Sequence, residues 1–217
     1  MTKKEKKTLA VSIVARLREV YPTAECALEY GGDPWRLLVM GRLSAQCTDE
    51  RVNIVCRELF RRFPDARAMA EGPLSEIESI VKPCGLYKMK AKNIMDSSRI
   101  LIDEYGGELP RDMDELLRFP GVGRKIANLL IGDIFGMPAI VADTHCIRIS
   151  ARLGLYPESE KRPEQVERIL RELIPPEEGA DYCHRIVFFG REWCTARSPR
   201  CECCPLSDLC TKRKREG

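Results

Sequence analysis

Histidine is almost missing from this chain: among 217 residues only His145 and His184 occur. Two histidines leave no room for a catalytic zinc held by three of them, and each reads first as a core or capping side chain. No apolar run approaches the roughly 20 residues that a membrane-spanning helix needs. The first residues, MTKKEKKTLAVSIVARLREVYP, break their apolar positions with Arg16, Arg18 and Glu19, so they lack the continuous core of a signal peptide. Strand-like alternation is nearly absent as well. The net charge is only +3, which by itself argues neither for nor against a nucleic-acid partner. At 44% hydrophobic and 32% charged, the chain is globular and long enough to bury a core in one or two domains.

Cysteine, by contrast, is plentiful. The count of eleven is odd and no secretory signal accompanies it, which argues against a disulfide scaffold and for a reducing compartment. Four of the cysteines, Cys194, Cys201, Cys204 and Cys210, follow the spacing C-x6-C-x2-C-x5-C. Four thiolates gathered by short loops can hold a metal centre, and soft sulfur ligands narrow it to iron–sulfur or zinc. The other seven cysteines read as small buried hydrophobes. From Arg191 to the C-terminus seven basic and four acidic side chains stand together, with Arg197 and Arg200 between the first two clustered cysteines. A basic patch tethered beside a metal-tied loop suits a phosphate-facing surface, whereas Lys212 to Arg215 reads equally well as a solvated tail.

Helical periodicity recurs along the rest of the chain. Asp33-Pro34 supplies an N-cap and a proline at the first helical position ahead of Trp35 and Leu38. Val52, Cys56 and Leu59, then Ile77 and Ile80, then Ala91, Ile94 and Leu101, then Val166 to Leu173 repeat at helical spacing. Breakers at Gly85, Gly106-Gly107, Pro157 and Pro175-Pro176 separate them. The expected class is all-α, with Gly136-Met137-Pro138 the best place for a domain crossing.

The segment Leu116 to Lys125, LLRFPGVGRK, ends one helix at a Pro-Gly-x-Gly turn and starts another at once, which predicts a helix–hairpin–helix. The amides of Gly121, Val122 and Gly123 then stand at the start of a helix, where N–H groups and the positive dipole end favour a phosphate. Such a contact grips a nucleic-acid backbone without reading its sequence. Lys125 falls in the first turn of the second helix. A lysine there serves as an exposed phosphate contact or as an amine nucleophile. Asp143 follows the apolar run Ala139 to Ala142 and precedes a helix expected to begin at Thr144. It reads as an N-cap, and a carboxylate so fixed can also stabilise positive charge on a nearby sugar or accept a proton.

These residues carry a resemblance. FPGVGRK, the ADTH segment beyond its lysine and C-x6-C-x2-C-x5-C, together with LSAQCTD at 43–49 and GLYKMKAKNI at 85–94, resemble the endonuclease III family of DNA glycosylases. The likeness runs from about Asp33 to Cys210. It implies a two-domain all-α helix–hairpin–helix architecture: a six-helix barrel over 27–137, and a second domain formed by 1–26 with 138–217, with the DNA cleft between them. It implies a [4Fe-4S] cluster on Cys194, Cys201, Cys204 and Cys210, with Cys203 the competing thiol. Zinc remains the simpler alternative, although zinc ribbons usually use two C-x2-C knuckles and this set has one.

The resemblance further implies that a damaged pyrimidine is flipped from duplex DNA, that Lys125 attacks the sugar C1′ and forms a Schiff base, and that Asp143 stabilises the developing charge. β-Elimination would then nick the strand 3′ to the abasic site. Gln46 would fill the gap left by the extruded base, Leu86 would wedge the opposite strand, and Arg197 and Arg200 would face the backbone. Ala142 and Cys146 stand where larger aliphatics are usual in the family, which implies a roomier base pocket. The expected protein is a cytoplasmic, nucleoid-associated monomer. The other readings are a mismatch glycosylase lacking lyase activity, a helix–hairpin–helix module that only binds DNA, and a metal-tied electron carrier.

Overall fold

Side-chain caps set the helix starts. In the computed structural model, which describes residues 1–212, Thr2 accepts from the Glu5 amide at 3.2 Å while Glu5 Oε2 accepts from the Thr2 amide at 2.7 Å, a reciprocal capping box for α1 (Lys3–Val20). Asp33 caps α2 (Pro34–Leu43), Thr48 caps α3 (Asp49–Arg62) and Asp65 caps α4 (Ala66–Glu71) through side-chain oxygens. Each such cap contributes about 1 kcal/mol. The series continues with α5 (Leu74–Val81), α6 (Tyr87–Asp103), α7 (Met113–Leu117), α8 (Arg124–Asp133), α9 (Thr144–Leu153), α10 (Pro163–Leu173) and α11 (Gly179–Glu192). The described residues contain no strand, so the expected all-α class holds. No helix among them is long and apolar enough to cross a membrane. The basic residues Arg213, Lys214 and Arg215 lie outside the described residues.

The chain divides into two compact units, one formed by residues 26–135 and the other by 1–25 with 136–217. In the first, α6 packs against α2, α4 and α5, and α8 against α2 and α7. Trp35 anchors this core: its indole donates to Ser98 Oγ at 2.9 Å and its ring meets Phe60 at 5.4 Å. In the second unit α1 packs on α10 and α11, and α9 on α11. Ala10, Ile13, Val14 and Leu17 form the buried stripe of α1, each large aliphatic contributing roughly 1.5–3 kcal/mol. The buried Arg185 on α11 donates to Tyr21 O at 3.2 Å, just past the end of α1, and to Asp181 at 2.8 Å.

The expectation for the non-ligand cysteines needs correction. Cys56, Cys84, Cys146 and Cys183 are buried, but Cys26 and Cys47 are half-buried and Cys203 is exposed. Cys146 is fully buried in the helical core of its unit.

One buried charge organises the 26–135 unit. Lys90 on α6 is 0% exposed, and its ammonium donates to Leu43 O, Ala45 O and Cys84 O at 2.8, 2.7 and 2.8 Å. Burial holds it below the ordinary lysine range, the thiols of Cys84 and Cys47 acting the other way and Arg42 reinforcing the shift. Replacing Lys90 with Met would strand three carbonyls in the interior. The expected loss is about 3 kcal/mol, read as a lowered urea midpoint.

Candidate active site and cluster loop

The hairpin is built from its two ends. Asp112 Oδ1 accepts from the Asp114 and Glu115 amides at 2.9 and 3.2 Å and starts α7. Phe119 then turns inward, buried and stacked on Tyr105 at 5.4 Å between centroids, while Arg118 pairs with Glu104 and Glu115 at 2.7 Å each. The Phe119 carbonyl accepts from Val122 N–H at 3.0 Å. That bond occupies the Val122 amide within the turn, and its side chain is buried, so Val122 does not present its amide as expected. Gly121 and Gly123 are exposed, and their N–H groups have no protein acceptor among the described residues. Gly123 is the N-cap of α8 and supplies no side-chain cap. Lys125 stands exposed in the first turn of that helix.

Gly121 has φ +76°, and an added Cβ would collide with the side chains of Arg42 and Asn93. Those two lie beneath the turn. With its amide oxygen facing Arg42, Asn93 accepts from Nε and Nη2 at 2.9 Å each and donates to Met89 O at 3.2 Å. Ser97 Oγ donates to Pro120 O at 3.4 Å. The turn is thus seated on polar side chains of α2 and α6.

Gln46 and Leu86 are the two non-glycine residues with positive φ among the described residues, at +55° and +48°. Gln46 is exposed, and Leu86, far from being a core leucine, is 55% exposed. Left-handed backbone costs a non-glycine residue about 1–2 kcal/mol, and such strain concentrates at ligand clamps. Lys90 holds both loops, through Ala45 just before Gln46 and Cys84 two residues before Leu86.

In the other unit Asp143 caps α9, its Oδ1 accepting from Cys146 N–H at 2.6 Å. Its side chain is 16% exposed, with His145 Nδ1 3.7 Å from Oδ2. The same helix reaches the cysteine loop at its far end. Arg152 Nη1 donates to Thr195 O at 2.8 Å and lies 3.4 Å from Cys194 Sγ, and Nη2 donates to Ala196 O at 2.9 Å. The Arg152 carbonyl accepts from Lys212 N–H at 3.2 Å. One residue therefore grips both ends of the loop. Arg148 adds a bond to Cys194 O at 3.0 Å, and Arg16 on α1 donates to Pro205 O at 2.8 Å.

Cys194, Cys201, Cys204 and Cys210 line a single cavity of about 300 Å³ together with Arg152 and Trp193, and Cys203 is outside the lining. No three His, Cys, Asp or Glu side chains among the described residues converge where a single ion would sit. Thiols ringing a cavity fit a polynuclear sulfur-ligated centre better than one tetrahedral zinc. Arg200 lines the same cavity, and both Arg197 and Arg200 are exposed.

Residues 39–176 match the model of HhH-GPD superfamily base excision DNA repair proteins, and residues 194–210 match that of the iron–sulfur binding domain of endonuclease III. The chain belongs to the endonuclease III family. It is 44% identical over 205 residues to Endonuclease III of Bacillus subtilis (strain 168), covering 93% of each chain. It is similar in structure to a solved non-covalent Endonuclease III–DNA complex, with TM-score 0.89 and 41% identity over 100% of this chain and 98% of that one. The same score and identity relate it to a trapped covalent Endonuclease III–DNA intermediate, over 100% and 99% of the two chains. As an endonuclease III family member the chain carries a [4Fe-4S] cluster, and the four-cysteine cavity fits that group.

Lys90, Arg42, Asn93 and Arg152 went unnoticed in the sequence. Lys90 was legible in part, because it falls four residues before Ile94 on the apolar stripe of α6. Arg152 looked like an ordinary basic residue in a last helical turn. The loop it grips depends on Gly154, where φ is +95° and an added Cβ would collide with Thr211. Gly154→Ala is expected to cost at least about 1–2 kcal/mol and to speed loss of visible absorbance when purified protein is challenged with an iron chelator.

Proposed function

We propose that this chain excises oxidised pyrimidines from duplex DNA and cleaves the backbone 3′ to the abasic site, with Lys125 as the nucleophile and Asp143 as the charge-stabilising carboxylate. The general activity, DNA glycosylase with abasic-site lyase in base excision repair, is that of its family. The residue assignment is carried by one observation: an exposed lysine in the first turn of a helix entered through an uncapped glycine hairpin. The hairpin amides of Gly121 and Gly123 hold a backbone phosphate, which brings the adjoining deoxyribose to the amine.

The target nucleotide leaves the stack at a cost of a few kcal/mol. Gln46 enters the vacated space and Leu86 wedges the opposite strand, roles supported by their exposure and strained backbone. Lys125 Nζ attacks C1′, the bond from C1′ to the base breaks, and the base departs after taking up a proton. Asp143 offsets the positive charge that builds on the sugar as that bond lengthens. Its position is fixed by its cap on α9, so no reorganisation is required when the charge appears. Ring opening leaves a Schiff base between Nζ and C1′. Loss of a C2′ proton then expels the 3′ phosphate and nicks the strand.

Residues 27–137 form the domain that presents the lysine. Residues 1–26 with 138–217 form the domain that carries the cluster on Cys194, Cys201, Cys204 and Cys210. When bound, the cluster cross-links the loop bearing Arg197 and Arg200, which face the DNA backbone. The protein acts as a monomer on damaged duplex in the cytoplasm, at the nucleoid.

Borohydride reduction on a duplex carrying thymine glycol tests the mechanism. The wild type is expected to give a covalent protein–DNA adduct and Lys125→Ala none. Asp143→Asn keeps an N-capping side chain, so its expected fall of about 10²–10⁴-fold in base release reflects chemistry rather than stability. Base release without adduct in the wild type would make the chain a monofunctional glycosylase and remove the role of Lys125. Iron analysis tests the ligands: serine at any of Cys194, Cys201, Cys204 or Cys210 is expected to lower iron content, and Cys203→Ser to leave it whole.

A further inference from the structure

Arg42 is 8% exposed, within α2, in a stretch whose other members are apolar. Its guanidinium lies against Gly121, donates to Asn93 and meets no carboxylate among the described residues. The nearest buried cation, Lys90, is bonded only to carbonyls and adds a like charge, so the pair is left without a counter-ion. An ionised group taken out of water without a counter-charge is costly. Burial lowers the affinity of Arg42 for its proton, with no opposing charge to restore it. Seating a glycine turn would need only a polar or apolar side chain of similar size.

We propose that Arg42 is a positioning residue for DNA binding, whose buried and uncompensated guanidinium seats the Gly121 turn and supplies the positive field that holds a phosphate on the hairpin. This rests on the reading of the hairpin as the phosphate site. The hairpin itself contributes only amide dipoles, and the side chain closest beneath it contributes a full charge in a poorly screened setting. A bound phosphate is then the counter-ion that the fold leaves out. Asn93 fixes the plane of the guanidinium through both of its acceptor contacts, so the charge stays under the turn.

The test is the salt dependence of binding to a fluorescent duplex containing a reduced abasic site, measured by anisotropy across a KCl series. Arg42→Gln removes the charge. Asn93→Asp leaves Arg42 in place and cancels its charge with a carboxylate of nearly the same shape, so the test survives if Arg42→Gln fails to fold. Both variants are expected to make the slope of log affinity against log salt shallower by about 1, the value for one phosphate contact. Arg42→Lys is expected to keep the wild-type slope. A slope unchanged in Asn93→Asp, with circular dichroism showing intact helices, would overturn the role of Arg42, because a purely structural side chain alters affinity without altering counter-ion release. Wild-type protein that does not bind the abasic duplex would instead overturn the phosphate-site reading beneath it.

Discussion

Much of the 26–135 unit depends on one ammonium group. Lys90 closes a junction where three backbone carbonyls from two segments, 43–45 and Cys84, converge, and a single cation satisfies all of them at hydrogen-bonding distance. A neutral donor could not answer three acceptors at once. Because two of those carbonyls belong to the loops that carry Gln46 and Leu86, the same contact that seals the interior also sustains left-handed backbone at two exposed side chains. Local strain persists only where the surroundings over-determine it, and here the surroundings are a charge that cannot leave without exposing those carbonyls to an apolar interior.

The other unit solves a different problem with similar means. In the loop after α11, Leu206 is the one fully buried side chain among the described residues, while Trp193 and Leu209 pack against the core only in part. Guanidinium groups make up for this. Arg152, Arg148 and Arg16 reach its carbonyls from two helices, so the four thiols are held around a cavity by polar contacts as well as by chain connectivity. Arginine suits the task because its planar fork serves several acceptors while remaining charged.

The features that were legible in the sequence were those set by short-range physics. Asp33-Pro34 announced a helix start, Pro120 to Gly123 announced a turn, Asp143 announced a cap, and the cysteine spacing announced a sulfur-ligated centre. Each requires only neighbours along the chain. Arg42 and Lys90 were opaque because their meaning comes from distant segments. Arg42 sits in a run that otherwise reads as core, and Lys90, whose place on the apolar stripe of α6 is the one local hint, alternates with the exposed Lys88 and Lys92. Val122 misled for the same reason: its amide is consumed by a carbonyl three residues back, a detail of turn geometry that residue types alone do not fix. The cysteines show the limit of composition, since Cys26, Cys47 and Cys203 escape the core that their hydrophobicity suggests.

Helix α9 joins two of these themes. Asp143 occupies its first end and Arg152 its last turn, ten helical residues being about 15 Å of continuous hydrogen-bonded rod. A rod of that length transmits displacement with little loss. One rigid helix therefore ties the residue that caps it, Asp143, to the residue that grips the cysteine loop, Arg152, so the loop anchors the far end of the element on which the carboxylate is seated.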